Sequence, residues 1–153
     1  MADAPEAVLR DALFKLDDCF AKYIAIHNDI FARKLRRIIP IPLLFEKVDY
    51  RKRADALQEI SDELAYIKET PAILNVDIND VPLGYFITVA SEAVAKLQEI
   101  CLGLTEIASG GTYQWRDYNA DCEEYETLAG PFMSFERNFE AVIKLMRKTA
   151  AAS

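Results

Sequence analysis

One histidine, His27, is all the imidazole that this chain of 153 residues carries. Carboxylate-bridged di-iron sites in helical proteins need inward Glu-x-x-His pairs from two helices, so that chemistry lacks its ligands. Three cysteines, Cys19, Cys101 and Cys122, are odd in number and far apart. They lack the paired spacing of zinc and redox motifs and read as reduced thiols in a cytoplasmic protein. Gly110-Gly111 has neither the lysine nor the preceding strand of a phosphate loop, and no serine stands in a nucleophile elbow. Long apolar runs are missing too. The longest, 38–45, has eight residues and contains Pro40 and Pro42, short of the ~20 needed to cross a bilayer. Asp3, Glu6 and Asp11 stand where a secretory signal needs positive charge, so export by that route is not expected.

Only five glycines and six prolines interrupt a composition that is 52% hydrophobic and 28% charged. Such a chain has room for long helices and enough apolar mass for one core. The spacing then predicts where they run. Leu9, Leu13, Leu16, Phe20, Ile24, His27, Phe31, Leu35 and Ile38 recur at helical steps over about 5–39. Val48, Ala54, Leu57, Ile60, Leu64 and Ile67 do so over about 43–69, after a Pro-Ile-Pro corner. Pro71 stops this second helix. Asn79 or Asp80 with Pro82 reads as the start of a third, whose inward face is Leu83, Ile87, Ala90, Val94, Leu97, Cys101, Leu104 and Ala108. Gly110-Gly111 ends it. A fourth begins between Thr112 and Asn119 and carries the seam Tyr125, Leu128, Phe132, Phe135, Phe139, Val142 and Met146. Gly130-Pro131 interrupts that helix without shifting its register, which predicts one kinked helix or two nearly collinear ones. Segments of roughly thirty residues make rods of roughly 45 Å. The expected fold is all-α, one domain over 1–153, an antiparallel up-down-up-down four-helix bundle with a kinked or broken fourth helix.

Charge is unevenly placed. Between Arg33 and Arg53 eight basic residues face only Glu46 and Asp49, a balance of +6, while the whole chain carries −7. In the expected topology this corner shares an end with Trp115 and its tyrosine neighbours. Arg36, Arg37, Arg51 and Arg53 around Ile41, Leu44 and Phe45, with Trp115, form the candidate interaction surface. Cations supply attraction to an acidic partner and apolar residues supply burial. The competing reading is a lid over the end of the helices, its cations solvating helix ends and meeting Asp117, Asp121, Glu123, Glu124 and Glu126. Nucleic acid is not expected at a short patch on an acidic chain without a recognition motif. Membrane contact is at most peripheral.

His27 invites a second hypothesis. The segment Ile24–Lys34, with Asp29 close by, resembles the single-histidine helix of phosphotransfer bundles, which implies a phosphoryl carrier at His27. Asn28, Ile30 and Phe31 depart from that pattern. The position of His27 between Ile24 and Phe31 on the apolar stripe predicts a buried, hydrogen-bonded core histidine instead. Carboxylates supply a third hypothesis, a metal-dependent or small-molecule helical enzyme. Glu46 and Glu59 lie thirteen residues apart, turned about 220° from each other, and cannot converge. Glu92, Glu99 and Glu106 share one face, about 200° from the apolar one, and read as a solvated stripe. The acidic and aromatic residues of 113–125 could line a pocket, although tyrosines there also suit anchoring a helix end. No cofactor or metal is expected, and no catalytic motif is present. The sequence therefore points to an interaction or assembly protein, associating with itself or with a protein partner.

Overall fold

The computed structural model describes residues 5–31, 49–78, 80–108 and 110–152. Among them the chain is mostly helical, as expected, with five helices packed against one another: α1 (Pro5–Phe31), α2 (Tyr50–Lys68), α3 (Pro71–Leu74), α4 (Leu83–Ala108) and α5 (Trp115–Ala152). A two-stranded antiparallel hairpin, β1 (Asp77–Ile78) and β2 (Val81–Pro82), precedes α4. The corner that holds Arg36, Arg37, Ile41, Leu44 and Phe45 lies outside the described residues.

Local chemistry accounts for most boundaries. Asp49 caps α2, its carboxylate accepting from the Lys52 amide at 2.9 Å, which satisfies a donor that the helix itself leaves over. Pro71 does end α2's run, but it also opens the single turn α3, where its lost N–H costs nothing. Pro82 does not start α4. It pairs with Asp77 in the hairpin, and Asp80 holds the turn at φ 66, a left-handed conformation that Asp tolerates better than most residues. At the other end of α4 the Gly111 amide donates to the Glu106 carbonyl at 2.7 Å and the Gly110 amide to Ile107 at 3.2 Å. Gly110 has φ 78, and these paired bonds form the Schellman closure that glycine favours.

The fourth long helix is one element from Trp115 to Ala152 with Pro131 inside it, so the two-helix form is not what forms. Pro131 removes one amide from the ladder. Thr127, Gly130 and Pro131 are all exposed, so water can take over the carbonyl released there.

Side-chain contacts fix how the long helices neighbour one another. Asp29 meets Arg53 at 2.8 Å between α1 and α2. Gln98 donates to Gln58 at 3.0 Å, and Lys68 to Thr88, between α4 and α2. Lys96 reaches Asp121 at 3.0 Å and Phe86 packs on Phe135 between α4 and α5. His27 meets Tyr125 at 2.7 Å, Phe20 packs on Phe139 and Arg147 meets Asp17 at 3.3 Å between α1 and α5. In three of these pairs, α2 with α4, α4 with α5 and α1 with α5, rising numbers on one helix meet falling numbers on the other, so those partners run in opposite directions.

Every described inward position expected of α2 and α4 is buried. The stripe of α1 rotates relative to its expected course: Cys19, Tyr23, Ile26 and Ile30 are buried, whereas Ile24 and His27 are half-buried. On α5, likewise, Ala129 and Ile143 are buried while Leu128, Val142 and Met146 sit at the edge. A strict seven-residue step drifts ~20° per heptad on a straight helix, which moves the true seam sideways along a long one.

Candidate functional site

Two places on the molecule combine chemistry with position: the end where α2 and α5 begin, and the seam between α1 and α5. At the first, α2 opens with Arg51, Lys52 and Arg53 in succession and has no acid in its first turn. Arg51 and Lys52 are exposed, while Arg53 is half-buried, its Nε and Nη2 both on the Asp29 carboxylate at 3.0 and 2.8 Å. Trp115 is half-buried, edge-on to the buried Tyr118 ring at 5.4 Å between centroids. Of the expected interaction surface, then, Arg51 presents its charge to solvent, Arg53 is tied to α1, and Trp115 anchors the start of α5. Exposed large apolar side chains fall mainly elsewhere among the described residues. Val8, Tyr66, Tyr85 and Leu145 lie towards the opposite end, and only Leu102 lies near this one.

At the second place, the seam is closed inside and open outside. Inside, Phe20 stands edge-on to Phe86, Phe132 and Phe139 at 5.1–5.3 Å, the geometry that ring quadrupoles prefer. Tyr23 packs on Phe132 at 5.0 Å. Above this cluster, the Tyr23 and Tyr125 hydroxyls approach to 2.5 Å and Tyr125 meets His27 Nδ1 at 2.7 Å. Burial lowers the His27 pKa. A neutral ring accepts at Nδ1 from Tyr125, which then accepts from Tyr23, and the chain is satisfied with one proton per hydroxyl. Burial pushes the Tyr23 hydroxyl up to about 12 and that of Tyr125 further, so both stay protonated. The His27 ring also stacks on Tyr125 at 5.5 Å. The expected hydrogen-bonded histidine is present, at the edge of the core instead of within it. Tyr23 and Tyr125 are the partners that sequence periodicity could not single out, since it marks positions as inward and says nothing of which hydroxyls meet.

Outside the same seam, α1 and α5 diverge into an open groove of about 630 Å³. Its floor is Ala21, Ile24, Ala25 and Ile143. On α5, Lys144 and Arg147 stand towards one end and Glu136 and Glu140 towards the other, with Asp17 of α1 close both to Arg147 and to Glu136. Glu136 has a raised pKa, because the groove desolvates it and Glu140 and Asp17 crowd it.

A third cluster joins α4 to α5. The Lys96 ammonium, with little exposed surface, meets Glu124 at 2.8 Å, Asp121 at 3.0 Å and Glu99 at 3.1 Å. Tyr113 donates to Asp121 from a ring lying against Gly103, where a Cβ would overlap it. The acidic and aromatic residues of 113–125 thus help to fasten α5 to α4. The acid bond to Glu124 raises the Lys96 pKa.

The other chemical candidates are dispersed. Glu59, Asp62, Glu92, Glu106, Glu123 and Glu126 are exposed, and no group of three metal-ligating side chains converges among the described residues. Cys19, Cys101 and Cys122 are buried and are not joined in a disulfide among the described residues. Burial pushes Cys19 and Cys101 up to about 12, away from the thiolate form that reacts. No described helix is long and apolar enough to cross a membrane. Compared with protein-family models, curated proteins and solved structures, the chain matches none.

Proposed function

We propose that this chain is an up-down-up-down four-helix bundle that works as an interaction or assembly module, through its surface and not through chemistry in its interior. The observation that carries this reading is the run Arg51, Lys52, Arg53 in the first turn of α2. A helix N-terminus is the positive end of the macrodipole, so each cation there costs the fold a few tenths to ~1 kcal/mol. Asp29 compensates Arg53. Arg51 and Lys52 face solvent, and an acidic protein surface would supply the missing counter-charge. Residues that disfavour the fold while facing outward suit a task outside it.

The docking end in this reading comprises Arg51 and Lys52 with Arg36, Arg37, Ile41, Leu44 and Phe45 of the preceding corner, and Trp115 at the start of α5. Phosphotransfer through His27 gains no support from a ring whose Nδ1 is engaged by Tyr125 and whose face stacks on it. A metal-dependent reaction gains none from carboxylates that stand apart.

The test is a double charge reversal, Arg51→Glu with Lys52→Glu. The variant should melt higher than the parent, since acids suit a helix N-terminus. It should also lose the proteins cross-linked to the parent in cells, and the parent's cross-links should weaken as salt rises. A variant that melts lower, or that retains the same cross-linked partners, contradicts the proposal.

A further inference from the structure

We infer that the groove between α1 and α5 receives a second copy of this chain, related by a two-fold axis that sets like helices antiparallel. The inference rests on the interaction reading above but uses a different surface from the basic end.

The order of charges along the groove is what selects this occupant. On α5 the sequence from one end of the groove to the other is Glu136, Glu140, Lys144, Arg147, two anions followed by two cations at helical spacing. Reversal of that order yields its own complement. A two-fold axis perpendicular to the helices, passing level with the midpoint of the four, therefore sets Glu136 against Arg147 of the partner subunit and Glu140 against Lys144 of the partner subunit, and the same again in the other direction. On α1 the groove is lined by Ala21 and Ala25. Both are exposed, and their small side chains let two antiparallel backbones approach closely. The half-buried Ile24 of each copy, lying over the buried Ile143, then faces the partner.

Intramolecular pairing leaves room for this. Lys144 and Glu140 are 3.7 Å apart and both well exposed, a pair worth little in water. No ion pair among the described residues reaches Glu136, which is half-buried with the acids Glu140 and Asp17 and the cation Arg137 near it. Arg147 is shared between Asp17 and the face of Phe14, and so is held at the groove's end, ready for a further acid.

The test is sedimentation velocity of the full chain over a wide concentration range, with four variants. Lys144→Glu or Glu140→Lys alone should weaken the dimer at least about tenfold, since each places like charges opposite one another twice across the axis. Together, Glu140→Lys and Lys144→Glu restore opposite charges and should restore the dimer. Ala25→Trp should abolish it by sterics while leaving the monomer's melting unchanged. A parent that dimerises but ignores all these substitutions overturns the groove and leaves self-association to another surface. A parent that stays monomeric throughout overturns the inference and the self-associating part of the proposed function together, whatever then occupies the groove. Neither result touches the test at Arg51 and Lys52.

Discussion

The α2–α4 and α1–α5 interfaces join long helices, yet they are built from different material. The α2 and α4 backbones approach one another closely, with aliphatic and small residues such as Ala54, Leu57, Leu64, Ala90 and Val94 buried on these helices. The α1 and α5 backbones approach less closely, held off by Phe20, Tyr23, Tyr125, Phe132 and Phe139. Interaxial distance follows the size of the side chains at the contact. Large rings fill the inner half of the α1–α5 seam and leave its outer half unfilled, and the groove is the consequence. One set of residues thus supplies both the core and the opening.

If that comparison is right, the greatest damage comes from removing a ring that spaces the helices. Phe139→Ala should cost about 3–5 kcal/mol through lost transfer energy and a cavity, read as a lower denaturant midpoint. A loss below about 1 kcal/mol would mean that the rings do not hold the seam. Next comes the α4–α5 side, where Gly103 admits the Tyr113 ring. Gly103→Ala should cost about 1–3 kcal/mol by overpacking. The same substitution in a Tyr113→Ala background should cost much less, and equal costs in both would show that the ring is not what demands glycine.

A comparable cost, about 1–3 kcal/mol, is expected of Tyr125→Phe, which strips the middle hydroxyl from the buried chain and leaves Tyr23 and His27 without it. The accompanying pH dependence has a definite sign. Burial holds the folded His27 pKa below the ordinary imidazole value of about 6.5, so the unfolded chain binds the proton first. Its contribution is present above pH ~6.5 and is lost as pH falls through that value towards the folded pKa. Denaturant midpoints between pH 7.5 and pH 5 should therefore fall more steeply in the parent than in His27→Gln. Equal slopes would separate His27 from the effect. The smallest change is expected at Glu92→Ala on the exposed face of α4, within about 0.5 kcal/mol. A large loss there, relieved by added magnesium, would revive a carboxylate site.

Helix identity was legible in the sequence because burial on α2 and α4 is wide enough to tolerate an error in angle. Ala54, Leu57, Ile60, Leu64 and Ile67 are buried as their spacing requires. On α1 and α5 a narrower seam drifts, so Ile24 and Val142 end at the edge and Ile26 and Ile143 inside. The hairpin was illegible for another reason. Two-residue strands give too short a pattern, and Asp80 before a proline-bearing segment serves a left-handed turn as readily as a cap. His27 was recognisable as inward-facing, but its partners lie about a hundred positions away, at Tyr125 and through it Tyr23. Periodicity carries no information about pairing across that distance. The groove was hidden for the same reason, since it depends on how far apart two helices stand.

Amide hydrogen exchange of the full chain at low and high protein concentration tests the central claim most directly, because it reports which backbone becomes covered when copies meet. The account predicts that added protection at high concentration falls on residues 17–28 of α1 and 136–147 of α5, while α2 and α4 exchange unchanged. Protection that is independent of concentration, or that rises on α2 and α4 instead, would contradict it.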